Sequence, residues 1–102
     1  MEMQSVIAQL EQEWEQPGGF LGNLRMGIFD PAGFERLAKI LESVEIGDTG
    51  TIDRRFVSLT WYIPIFMGWQ RERLQEKGGD VRELEIATNR ILGELERILG
   101  VP

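Results

Sequence analysis

Apolar residues recur along the chain at three- and four-residue intervals, and no stretch sustains a strict alternation of apolar and polar positions. That spacing places hydrophobic side chains on one face of a helix, whereas a half-buried strand needs a period of two. The pattern therefore predicts an all-α protein. Met3, Val6, Ile7, Leu10 and Trp14 form the first stripe, Glu11, Gln12 and Glu15 lie on the opposite face, and Pro17-Gly18-Gly19 stops the helix. Phe20, Leu21 and Leu24 fit a turn and a half of helix weakened by glycines, so a short helix or an ordered loop is expected there. Asp30-Pro31 reads as the next start, because Asp can cap and proline suits the first helical position. Phe34, Leu37, Ala38, Leu41 and Val44 then keep the helical period, with Glu35 and Lys39 as a favourable pair on the wet side. Gly47 suits a helix-closing residue, and Asp48-Thr49-Gly50 a turn.

A long segment from about Thr51 to Lys77 carries the stripe Ile52, Phe56, Leu59, Ile63, Met67 and Leu74, with Pro64 inside it. A proline there removes an amide and collides with the carbonyl of Thr60, which predicts a kink near Thr60–Pro64 or two helices meeting there. Gly78-Gly79 ends the segment. The last helix opens on Asp80-Val81-Arg82-Glu83, a capping box with Asp in place of Ser or Thr. Val81, Leu84, Ala87 or Thr88, Ile91, Leu95 and Ile98 follow, Leu92 and Leu99 broaden the stripe, and Gly100 and Pro102 close it. The expected fold is a single helical domain over residues 1–102: a four-helix bundle-like arrangement with a short extra helix and a Pro-kinked central helix.

The segment Phe56 to Trp69 is apolar nearly all round. Besides the stripe above, Ser58, Trp61, Tyr62, Ile65 and Trp69 fall on the other side of the same helix. A helix of that kind is covered on more than one side. Either it is the central helix, with its Trp residues in the core, or the second stripe is an interface for a second copy, a foreign partner or a ligand. Trp, Tyr, Met and Arg are enriched at interface cores, and Arg54, Arg55, Arg71 and Arg73 flank the stripe as a polar rim would. The candidate interface is Trp61, Tyr62, Ile65 and Trp69 with Arg54, Arg55 and Arg73.

Composition narrows the chemistry. The 102 residues include no Cys and no His. That excludes disulfide frameworks, zinc ribbons, thiol nucleophiles, Ser-His-Asp triads and ordinary transition-metal sites. Carboxylate pairs Glu11/Glu15, Glu42/Glu45 and Glu72/Glu76 share helical faces, but Glu42-Ser43-Val44-Glu45 is a lone ExxE, so no metal, cofactor or catalytic residue is assigned. Ser5, Ser43 and Ser58 have no base to activate them, and the glycines spell no phosphate loop.

Residues 1–50 carry nine acids and three bases and residues 51–102 eight of each, so the whole net charge of −6 lies in the first half. Binding to nucleic acid or to an anionic membrane is disfavoured, because both need clustered Lys and Arg. A basic protein partner fits an acidic face that includes Glu11 and Glu15. Residues 1–16 hold four Glu and read as no secretory signal, and the longest apolar run, about 14 residues, is too short to span a bilayer. The expected compartment is the cytoplasm.

The runs Phe20-Leu21, Leu24-Arg25, Phe29-Asp30-Pro31, Gly33-Phe34-Glu35-Arg36-Leu37 and Asp53-Arg54-Arg55-Phe56-Val57-Ser58-Leu59-Thr60-Trp61-Tyr62-Ile63-Pro64 give the chain a resemblance to small bacterial all-helical proteins, over about residues 14–75. The resemblance implies a helical fold and no particular activity. By size and acidity the chain is also similar to toxin-immunity proteins. The sequence thus points to a non-enzymatic, protein-binding helical domain that forms a homodimer, with an acidic inhibitor or immunity protein against a basic toxin or nuclease as the alternative.

Overall fold

Helices are the regular elements among the described residues, 2–46 and 50–102, of the computed structural model. They are α1 (Met3–Glu13), α2 (Phe20–Arg25), α3 (Pro31–Glu42), α4 (Arg54–Thr60), α5 (Ile63–Trp69), α6 (Arg71–Glu76) and α7 (Val81–Leu99). Gln70 (φ −87°, ψ 0°) joins α5 to α6 as one bent helix. Gly47 and the Asp48-Thr49 part of the expected turn lie outside the described residues.

Side-chain caps set three of the seven helix starts among the described residues. Asp80 accepts from the amides of Arg82 and Glu83 at 2.9 and 3.3 Å, and Asp53 from those of Arg55 and Phe56 at 2.8 and 3.4 Å. Glu2 does the same for α1. Asp30 departs from expectation, since its side chain makes no capping bond. Pro31 alone fixes that start, and the Asp30 charge acts on Arg36.

The turn after α1 is held by a buried acid. Glu13 is 3% exposed. Its Oε1 accepts from the Phe20 amide at 2.9 Å and from Arg36 Nη2 at 2.8 Å, while Oε2 takes Arg36 Nε. Arg36 Nη2 also donates to the Gly18 carbonyl at 3.0 Å. One ion pair thereby ties the end of α1, the Pro17-Gly18-Gly19 turn, the start of α2 and the middle of α3. The bond to Glu13 holds the guanidinium protonated more firmly than usual, against the opposing effect of burial. The turn is tight enough that a Cβ on Gly22 would lie 1.9 Å from the Glu15 carbonyl oxygen, so only glycine fits there.

The expected break occurs at Pro64. α4 ends at Thr60 and α5 begins at Ile63, with Trp61 and Tyr62 between them still in right-handed helical conformation. The Leu59 carbonyl next to this break accepts the Trp14 indole N–H at 2.9 Å, and the buried Thr60 hydroxyl bonds back to the Phe56 carbonyl at 2.9 Å. The segment is therefore two helices meeting at Trp61-Tyr62, the alternative to a single kinked helix, and the second of them is bent at Gln70. α4 packs on α1, and α5 and α6 pack on α7, which also packs on α3, while α2 bridges α1, α3 and α5. The second break, at Gln70, follows the exposed Gly68 and was not legible as a stop.

Arginines fasten α7 to α3. Arg90 pairs with Glu35 and Glu42 at 2.8 and 2.9 Å and lies over the Phe34 ring, so Glu35 engages α7 instead of its own neighbour Lys39. Arg97 donates to the Leu41 and Val44 carbonyls at 2.9 and 3.0 Å at the end of α3, where the Leu41 carbonyl also accepts the Val44 amide at 3.1 Å. Leu92 and Leu99, expected to widen the buried stripe of α7, remain about two-fifths exposed.

Replacing Glu13 by Gln keeps an acceptor for Phe20 but removes the charge that holds Arg36. The expected cost is about 1–3 kcal/mol, and that of Asp80→Ala, which removes a cap, about 1 kcal/mol. Urea unfolding monitored by circular dichroism reads both. A Glu13→Gln variant as stable as the wild type would show that the turn holds without the ion pair.

Candidate functional site

The two stripes of the Phe56–Trp69 segment part company in the structure. Phe56, Leu59, Ile63, Phe66 and Met67 are buried, and this inner stripe completes the core. The outer stripe stays outside. Trp61 is 52% exposed, Ile65 41% and Trp69 68%. The reading that places these two Trp residues in the core is thereby corrected. The inner stripe packs toward α1 and α7, and among the described residues none covers the two outer Trp rings.

The outer stripe is ordered from beneath. Tyr62, half-buried, lies with its ring centroid 5.3 Å from Trp61 and 5.6 Å from Trp69, both edge-on. Below it Trp14 stacks at 6.4 Å and meets Phe66 edge-on at 5.0 Å. Trp14 is itself anchored through its indole to Leu59. The exposed rings therefore rest on a fixed aromatic layer, and such pairs contribute about 0.5–1.5 kcal/mol each beyond their area. Ser58 and Gly68 complete the face, both exposed. A Cβ on Gly68 would meet nothing within 4 Å.

The expected arginine rim is partly committed within the chain. Arg55 pairs with Glu11 at 2.9 Å and Arg71 with Glu85 at 2.6 Å. Arg73 donates to the Arg25 carbonyl, and Arg25 lies over the Phe66 ring at 5.3 Å. Arg54 is exposed and makes no ion pair among the described residues.

The acidic face of Glu11 and Glu15 is interrupted. α1 ends at Glu13, so Glu15 lies past the helix and does not share a helical face with Glu11, whose charge is met by Arg55. Glu13, Glu35 and Glu42 are likewise held by arginines. Glu45 lies beyond the end of α3, which takes the Glu42/Glu45 pair off one helical face. Among the described residues no three carboxylates gather where they could hold a metal ion, and no helix is long and apolar enough to cross a membrane. Sequence periodicity did not reveal three further exposed apolar side chains, Met26, Ile28 and Ile86, each more than half exposed. Met26 and Ile28 follow the end of α2, and Ile86 sits on the outer side of α7, where a helical wheel places it off the stripe.

Comparison with protein-family models, curated proteins and solved structures finds no match for this chain.

Fluorescence separates the three Trp residues. In dilute solution Trp61 and Trp69 are expected to emit as solvent-exposed indoles and to be quenched readily by acrylamide. A variant with both changed to Phe retains Trp14 alone and should emit at shorter wavelength with much weaker quenching. Equal quenching of wild type and variant would place Trp14 at the surface too.

Proposed function

We propose that this chain is a non-catalytic protein-binding module, a single bundle-like helical domain that self-associates as a homodimer through the face of Trp61, Tyr62, Ile65 and Trp69. The observation that carries the reading is the exposure of two Trp rings on an ordered aromatic base. The largest apolar patch of a soluble protein, typically about 300–600 Å², is often functional, and Trp and Tyr dominate the energetic centres of interfaces.

The magnitudes support a modest affinity. With aromatic side chains offering about 150–250 Å² each, the exposed parts of Trp61, Ile65 and Trp69 amount to roughly 350 Å² per chain. Two copies remove about 700 Å² of apolar surface from water, a gross gain of about 17 kcal/mol at 25 cal/mol per Å². Association costs roughly 4–15 kcal/mol. The surplus, roughly 2–13 kcal/mol, brackets the about 8 kcal/mol that corresponds to a Kd of 1 μM.

The alternative of an acidic inhibitor has less behind it, because arginines of the same chain already meet four of the first-half carboxylates.

Sedimentation at micromolar concentration tests the proposal. The wild type is expected to shift from monomer to dimer as concentration rises. Trp69→Ala should weaken the dimer by roughly 2 kcal/mol, about 30-fold, and leave thermal unfolding nearly unchanged. A wild type that stays monomeric up to about 100 μM would rule the reading out.

A further inference from the structure

The exposed stripe has a symmetry that fixes how a second copy would lie on it. Counted outward from Ile65, Trp61 and Trp69 stand four residues to either side, Ser58 and Glu72 seven, and Arg54 and Glu76 eleven. All of these residues are exposed. Trp61, Tyr62 and Gln70, which link the three short helices, keep right-handed helical dihedrals, so the spacing of the stripe carries through both joints.

The geometry points to a second copy of this chain as the occupant, lying antiparallel on α5 about a two-fold axis at Ile65. This rests on the self-association proposed above and adds its orientation and register. An antiparallel two-fold pairing brings each residue level with the one equally far on the other side of the axis. Trp61 then shares a level with the partner copy's Trp69, and Ile65 meets its own counterpart. Tyr62 shares a level with the partner copy's Gly68 across the width of the face, and Gly68, the one position there that carries no side chain, lies on the edge where the partner copy's Trp61 falls. Gly68 has no reason to be glycine within its own chain: a Cβ there would be free, and a mid-helix glycine is unfavourable relative to alanine. Close approach by another molecule supplies the reason.

Charge selects antiparallel over parallel. The stripe is basic at its start, where Arg54 opens α4, and acidic at its end, with Glu72 and Glu76 in α6. None of these three is in an ion pair among the described residues. Each of Arg54 and Glu76 also stands at the helix end that disfavours its sign, a cation at a start and an anion at a finish. Antiparallel pairing sets Arg54 level with Glu76 of the second copy and one helical turn from its Glu72, twice. Parallel pairing sets like charges together.

Charge reversal tests the orientation. Arg54→Glu and Glu76→Arg each suit their own helix end, so neither should lower thermal stability. Each variant alone should dimerise about three- to tenfold more weakly than the wild type at low salt, since two opposed pairs become repulsive. Mixed together they should form a heterodimer of about wild-type affinity, read by sedimentation with one partner fluorescently labelled. Gly68→Gln should retain helicity yet lose most of the dimer. If the single variants weaken the dimer and the mixture does not restore it, or if neither variant has any effect, the antiparallel register is wrong while self-association stands. A dimer that tolerates Gly68→Gln likewise overturns the register. A wild type that never dimerises removes both this inference and the reading beneath it.

Discussion

The carboxylate of Glu13 is the point from which the rest of the molecule is set. It is buried, and a buried carboxylate is tolerable only where cations and amides meet it. Arg36 and the Phe20 amide do so here, from two different helices. That requirement stops α1 at its last turn, folds the chain sharply back through glycines, and joins α1, α2 and α3. It also fixes the next residue. Trp14, immediately after Glu13, donates its indole N–H to the Leu59 carbonyl next to the end of α4.

That second anchor connects folding to surface. Pro64 interrupts the helix and leaves backbone carbonyls short of donors. Beside this break the Leu59 carbonyl holds Trp14, and Trp14 in turn supports Tyr62. With Tyr62 fixed, Trp61 and Trp69 are braced at their edges but have no cover. The exposed aromatic face thus rests on the anchor beside the break at Pro64. Flexible Trp side chains would lose conformational entropy on docking, and rings already braced lose less of it, so the same packing that leaves the face uncovered prepares it for binding.

Much of this was legible in the sequence. Helical periodicity located the helices, Asp80 was recognisable as a cap, and the stripe Phe56, Leu59, Ile63 and Met67 was recognisable as core. Pro64 marked the break because its missing amide acts locally. What escaped was set by contacts far apart in the chain. Glu13 is one of nine acids in residues 1–50 with nothing local to distinguish it, and only the approach of Arg36, twenty-three residues on, makes it structural. Glu35 was expected to pair with Lys39 four residues away, but Arg90 reaches it from α7 with better geometry and a second acid beside it. The second stripe could be identified as apolar but not placed, since a helical wheel shows which residues share a side and not whether the chain has enough neighbours to cover that side. The joint at Gln70 carries no proline and no cap, so nothing local announced it.

The most direct measurement uses the fact that the chain has no cysteine of its own. Ile65→Cys places one thiol on the inferred two-fold axis, where two Cβ atoms can come within the roughly 3.5–4.5 Å that a disulfide needs. Ile86→Cys places one on α7, away from the aromatic face and more exposed. Under mild oxidation at micromolar concentration, Ile65→Cys should convert rapidly and nearly completely to a covalent dimer, and Ile86→Cys should do so only slowly. Cross-linking through Ile65→Cys no faster than through Ile86→Cys would contradict the account.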